Sequence, residues 1–145
     1  MPKLSKKART KPDSSLAFNH AMIYTRDVAR ALQFYGDLLG FRVLEEFRHQ
    51  DFLVYARLRS PRGTATIALH MAERGKSLPD SGGIRLYFEV KNLAGACKKL
   101  AAAGVEFSQL PKRMPWGWDH AYLKDPDGHE VSLYWAGEKR LRKVR

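Results

Sequence analysis

The residues able to do chemistry fall on short, apolar-rich runs. FNHAMIY carries His20, Met22 and Tyr24 at intervals of two, IRLYFEV carries Arg85, Tyr87 and Glu89, and HEVSLYW carries Glu130, Ser132 and Tyr134. On a β-strand, side chains two apart share a face, so each triplet is presented together. Rings supply contact area while a few charged groups fix orientation, which is the usual composition of a small-molecule site. Arg85 is the sharpest element. A guanidinium stays protonated, so on an inward strand face it must be paired, by Glu89, by Glu130, or by a ligand carboxylate or phosphate on which Tyr87 or Tyr134 could stack.

A second informative stretch is LPKRMPWGWDH, where Pro111 and Pro115 stiffen a loop presenting Met114, Trp116 and Trp118. Loop tryptophans held by proline and glycine are ready to pack over a cavity mouth or against a second subunit. In DPDGH, Asp125 to Gly128 form a tight turn with an architectural role. Cys97, alone of its kind, excludes an internal disulfide and on an alanine-rich helix reads as a packed residue rather than a nucleophile. No Gly-rich phosphate loop, Ser-His-Asp ordering, calcium loop or zinc-type Cys/His spacing appears.

The elements that must position these residues repeat. Asp27 precedes an apolar stripe at helical spacing (Val28, Ala31, Leu32, Leu39) that Gly40 ends, and three extended runs follow, starting at Phe41, Asp51 and Thr64. After a Gly/Pro/Ser loop the order returns: a strand from Ile84, Asn92 capping LAGACKKLAAA, Gly104 stopping it, then VEFSQL, WDHAYLKD and HEVSLYW. Asp27 and Asn92 are 65 apart and Gly40 and Gly104 are 64 apart, so two βαβββ modules, 17–73 and 83–135, form one α+β domain over 17–135.

The stretch YTRDVARALQFYGDLLGFRV, its counterpart FEVKNLAGACKKLAAAGVEF and the closing DPDGHEVSLYW together resemble the vicinal oxygen chelate superfamily of glyoxalases, bleomycin-resistance proteins and dioxygenases. That resemblance implies a curved, cup-shaped mixed sheet and a homodimer. It also implies four inward positions that hold a metal in many relatives, which the repeat offset places at His20, Ala68, Arg85 and Ser132. Alanine offers no donor, and arginine puts a positive charge where the cation belongs, so metal catalysis through these positions is not expected. A displaced set of His20, His70 and Glu130 would hold nickel, zinc, iron or manganese only if ligands two residues along a strand, about 6.6 Å away, could substitute. The PWG segment resembles the metal-free bleomycin-resistance branch, whose members sequester a large ligand between two subunits.

With 26 Lys and Arg against 15 Asp and Glu, the chain carries a formal charge of +11, and its location decides its meaning. Residues 1–16 hold five basic residues and one acidic, and residues 136–145 hold the same, leaving only +3 on the body. The ends therefore read as disordered basic tails making weak, salt-sensitive contact with polyanions. No stretch has transmembrane or signal-peptide character, so a cytoplasmic protein without membrane contact is expected. The expectation is a metal-independent protein binding a small, possibly anionic, organic ligand in a resistance-like or sequestering role. The alternatives are a glyoxalase-type lyase, isomerase or dioxygenase with an atypical metal at His20, and a polyanion-binding protein acting through its tails.

Overall fold

Capping and periodicity act as expected in both halves. The Asp27 carboxylate accepts from the Arg30 amide at 3.2 Å to start α1 (Val28–Leu32), and Asn92 accepts from Gly95 at 2.9 Å to start α2 (Leu93–Ala102). Each helix leads to a glycine at positive φ, Gly40 at 85° and Gly104 at 91°, the conformation that lets the chain leave without a Cβ clash. The computed structural model describes residues 15–72, 78 and 83–137. The basic tails, apart from Ser15, Leu16, Ala136 and Gly137, lie outside the described residues.

The eight strands are β1 (Ala21–Thr25), β2 (Arg42–His49), β3 (Phe52–Arg59), β4 (Thr66–Met71), β5 (Arg85–Glu89), β6 (Phe107–Arg113), β7 (Asp119–Lys124) and β8 (Glu130–Trp135). They form two four-stranded sheets of the same topology, β1-β4-β3-β2 and β5-β8-β7-β6. In each, the first and last strands of the module pair in parallel and the remaining pairs are antiparallel. The chain is thus an α+β protein with a curved sheet that does not close.

Alternation decides which face each sheet buries. Ile23, Ala56, Leu58, Ile67 and Leu69 of the first sheet and Ala121, Leu123, Val131 and Leu133 of the second enter one common core with Val28, Ala31, Leu93, Cys97 and Leu100 from the helices. Burial raises the Cys97 thiol's pKa, keeping it protonated and unreactive. Beyond α1 the chain continues as a π-helical turn, Gln33–Leu38, which carries the adjacent rings Phe34 and Tyr35 into the core. Phe34, Tyr35, Phe41 and Phe88 then meet edge to face in a line that crosses from the first module to the second.

Two expectations need correction. The first strand begins at Ala21, so His20 lies just before it. The proline-rich loop is only the Met114–Trp118 turn, because β6 runs through Pro111 to Arg113. β6 is the edge strand of its sheet, and its register shifts between Gln109 and Lys112, so the missing Pro111 amide is tolerated there.

The DPDG turn does more than reverse the chain. Asp125 accepts from the Asp127 and His129 amides and from the Tyr35 hydroxyl, while Asp127 accepts from the Thr25 hydroxyl and, at 3.0 Å, from the Arg26 amide. His129 Nε2 donates to the Tyr24 carbonyl at 2.7 Å. One turn of the second module is therefore fastened to the β1–α1 junction of the first.

Candidate functional site

With one face of each sheet committed to the core, the other is left open. On the first sheet the register sets Met22 beside Ala68 and Tyr24 beside His70, with Tyr55 and Arg57 on the neighbouring strand. The His70 ring lies 5.9 Å from Tyr24 and 6.3 Å from Tyr55, and its Nδ1 donates to the Met71 carbonyl at 2.7 Å. His20 Nδ1 donates to Asn19 Oδ1, which also accepts from Arg57 at 2.7 Å. Glu45 completes the cluster, 3.2 Å from Arg57 Nε and accepting from the Tyr55 hydroxyl at 2.9 Å.

The second sheet's open face is richer in rings. Register pairs Arg85 with Glu130, Tyr87 with Ser132 and Glu89 with Tyr134, and on the other side of β8 pairs Ser132 with Tyr122 and Tyr134 with His120. Arg85 is held 3.0 Å from Glu130, both side chains about one-third exposed, and its guanidinium lies over the Tyr122 ring at 4.2 Å. Its hydrogen bond with Tyr87 and the Glu130 charge raise its pKa further, against the opposing effect of desolvation. Of the partners considered for Arg85 in the protein, Glu130 makes the ion pair.

His120 stands at the centre of this face. It stacks on Tyr134 at 5.3 Å and on Trp118 at 6.4 Å, nearly parallel to both, and meets Trp116 edge-on at 5.4 Å and Tyr87 edge-on at 5.9 Å. Trp118 and Tyr134 also stack on each other at 5.3 Å. Burial and the nearby Arg85 charge lower the His120 pKa, so the imidazole is neutral at pH 7. Tyr87 and Trp116 form the outer rim, 53% and 43% exposed, whereas His120 at the base is 3% exposed.

The structure therefore gathers Arg85, Tyr87, Trp116, Trp118, Glu130, Ser132 and Tyr134 on one face, and His20, Met22 and Tyr24 beside His70 on the other. None of the contacts just described joins the two groups. The four family positions do not suit a cation: Ala68 has no donor, Ser132 offers one neutral hydroxyl, and Arg85 is a permanent cation. Nor is the displaced set assembled, since His20 bonds Asn19, His70 sits between Tyr24 and Tyr55, and Glu130 engages Arg85 on the other sheet. Among the described residues, no three of His, Cys, Asp and Glu come together in a group able to hold a metal ion.

Sequence reasoning missed Arg57, His120 and Tyr122. The alternation in DHAYLK does put His120 and Tyr122 on one face, opposite Ala121 and Leu123. What the sequence could not supply was the strand order that seats β7 beside β8.

Tandem βαβββ modules, each presenting an open face lined with polar groups and rings, define the class of protein. The chain belongs to the Glyoxalase/Bleomycin resistance protein/Dioxygenase superfamily, whose family model matches residues 17–133. It is 27% identical over 147 aligned residues to the lactoylglutathione lyase of Pseudomonas aeruginosa, covering 82% of each chain. Among solved structures, a superfamily member from Sphaerobacter thermophilus is 26% identical with a TM-score of 0.68, covering 83% of this chain and 98% of that one. The fold is also shared with TnmS3, an antibiotic binding protein from a Streptomyces species, at 22% identity and a TM-score of 0.62, covering 83% of this chain and 98% of that one.

Proposed function

We propose that this chain binds a small, oxygen-bearing organic ligand on the ring-lined face of its second sheet, without a metal at the four family positions, in a sequestering or resistance-like role. The observation that carries this reading is the packing of five aromatic rings around His120, with Arg85 beside Tyr122 on the same face. Exposed rings offer stacking surface, and a guanidinium paired along one edge retains donors for an anionic oxygen. That a structural neighbour is described as an antibiotic binding protein favours the same role.

The first sheet leaves Tyr24, Phe47 and Phe52 exposed, and the second leaves Tyr87 and Trp116 exposed. Apolar surface of this extent on both modules is the reason for proposing a homodimer, in which a second copy covers part of it. Sedimentation of the full chain should give the mass of two copies, and a monomer at all concentrations would refute this. The setting proposed is the cytosol, where a lone buried thiol such as Cys97 needs no oxidising environment. Loose polyanion contact through the tails should disappear at about 0.2 M salt.

A second reading, a glyoxalase-type lyase, is favoured by the 27% identity to a lactoylglutathione lyase. Metal analysis of protein purified without chelator, together with NMR titration by 2-naphthoate, separates the two. The sequestering reading expects substoichiometric metal and shifts at Tyr87, Trp116 and Trp118. Stoichiometric nickel, zinc, iron or manganese that is lost in His20→Ala would overturn it.

A further inference from the structure

On the second sheet's open face, one buried group has an unused valence. His120 Nε2 is shielded from solvent and, among the described residues, has no hydrogen-bond partner. Nδ1 lies 3.1 Å from the Ser132 hydroxyl. Ser132 is itself fully buried, and His120 is the one hydrogen-bond partner of its hydroxyl among the described residues. Giving the hydroxyl hydrogen to Nδ1 leaves a single unpaired donor, whereas the reverse direction would leave both the hydroxyl hydrogen and Nε2 unpaired, so the ring proton is assigned to Nε2. A desolvated N–H without an acceptor is expensive to maintain, and a bound water, ion or ligand that supplies the acceptor removes that cost.

A second orphan lies close by. Arg85 Nε is also buried without a hydrogen-bond partner, and both groups border Tyr122, Arg85 over its ring at 4.2 Å and His120 with ring centroids 5.9 Å apart. Two donors thus flank one ring on a face otherwise made of stacking surface. Trp116, one of the two exposed rings of the rim, is carried on the Met114–Trp118 turn and meets His120 nearly at right angles.

Resting on the ligand face described above, we propose that His120 is its selecting residue: Nε2–H donates, in the plane of the imidazole, to an acceptor oxygen on, or one atom from, the ring of a flat aromatic ligand, which takes the place of Trp116 beside the imidazole. Stacking alone is indifferent to ring substituents, whereas a buried donor rejects a ligand that leaves it unpaired. The ligand class is therefore an aryl ketone, amide, phenolate or carboxylate rather than a plain aromatic hydrocarbon, with Arg85 adding preference for negative charge.

The test compares 2-acetylnaphthalene with 2-ethylnaphthalene, which differ in the acceptor oxygen, by NMR titration of the full chain. The acetyl compound should bind about tenfold more tightly. That preference should vanish in the double variant His120→Phe with Ser132→Ala, which keeps an aromatic ring at this position and removes both halves of the hydrogen bond, so that the acetyl and ethyl compounds bind alike. A measurement without substitution supports it: imidazole nitrogen–proton correlations should place the His120 proton on Nε2, and that signal should move with the acetyl compound only. A proton on Nδ1, equal affinities, or a preference that survives the double variant overturns the role of His120 and leaves the ligand face standing. If neither compound perturbs Tyr87, Trp118 and Tyr134, both the role and the ligand face fall.

Discussion

Tyr35 donates a 2.7 Å hydrogen bond to Asp125 across ninety positions of sequence, joining the helical segment of the first module to the last turn of the second. The phenol is fully buried and the carboxylate nearly so, and the same Asp125 also holds the backbone of its own turn through two amides. The interaction therefore couples the closing of a local turn to the docking of two modules.

Tyr35→Phe should destabilise the protein by about 1–3 kcal/mol, because Asp125 loses a buried donor while packing is preserved. Burial and the nearby Asp125 charge raise the Tyr35 pKa, so the folded state keeps its phenol proton while the unfolded chain releases it above pH 10. Fewer protons are then bound in the unfolded state, and stability must fall as pH rises beyond that point. Urea unfolding at pH 8 to 11 should show this alkaline decline in the parent and a shallower one in Tyr35→Phe.

Asp127→Asn tests the other half of the same junction. Its side chain is fully buried and accepts from Thr25 and the Arg26 amide, with the Arg26 and Arg30 guanidinium groups both 3.5 Å away. Replacing the carboxylate by an amide leaves those donors poorly matched, at a cost of about 1–3 kcal/mol. Hydrogen exchange should quicken at Thr25 and Arg26 before it does in the core strands.

His120 should titrate below the ordinary histidine value, since burial and then the Arg85 charge both disfavour its cation. Its charged form is more accessible in the unfolded chain, so this residue contributes stability above about pH 6.5 that is lost as pH falls through its folded pKa. Imidazole resonances followed from pH 8 to 4.5 give the value directly. A midpoint above 6.5 would show that the surrounding rings do not desolvate it.

Glu130→Gln should strengthen binding of 2-naphthoate several-fold while leaving 2-ethylnaphthalene unaffected, because it removes a carboxylate that competes for Arg85. Both partners are about one-third exposed, so stability should change by less than about 1 kcal/mol. Weaker binding of the anion would mean that Glu130 positions Arg85 rather than competing for it.

Much of the architecture was readable in advance. Asp27 and Asn92 could be recognised as caps and Gly40 and Gly104 as stops, because each acts through backbone groups within a few residues. The 64-residue offset between the modules then gave the order of elements. His20 was placed one residue too far into its strand, and the reach of β6 through Pro111 was missed, since only pairing with a neighbour decides where a ladder begins and how a proline is accommodated.

By itself the sequence determined the two modules and the alternation that presents Arg85 with Tyr87, and Ser132 with Tyr134, on one face of their own strand. These follow from local backbone geometry and side-chain chemistry, which need no knowledge of what lies across a gap. Tertiary structure decided that Arg85 pairs with Glu130, that Tyr35 and Thr25 reach the DPDG turn, and that His120 sits in a ring cluster with one nitrogen unsatisfied. Each depends on strand order, register and burial, quantities that arise only when segments distant in sequence exclude water together.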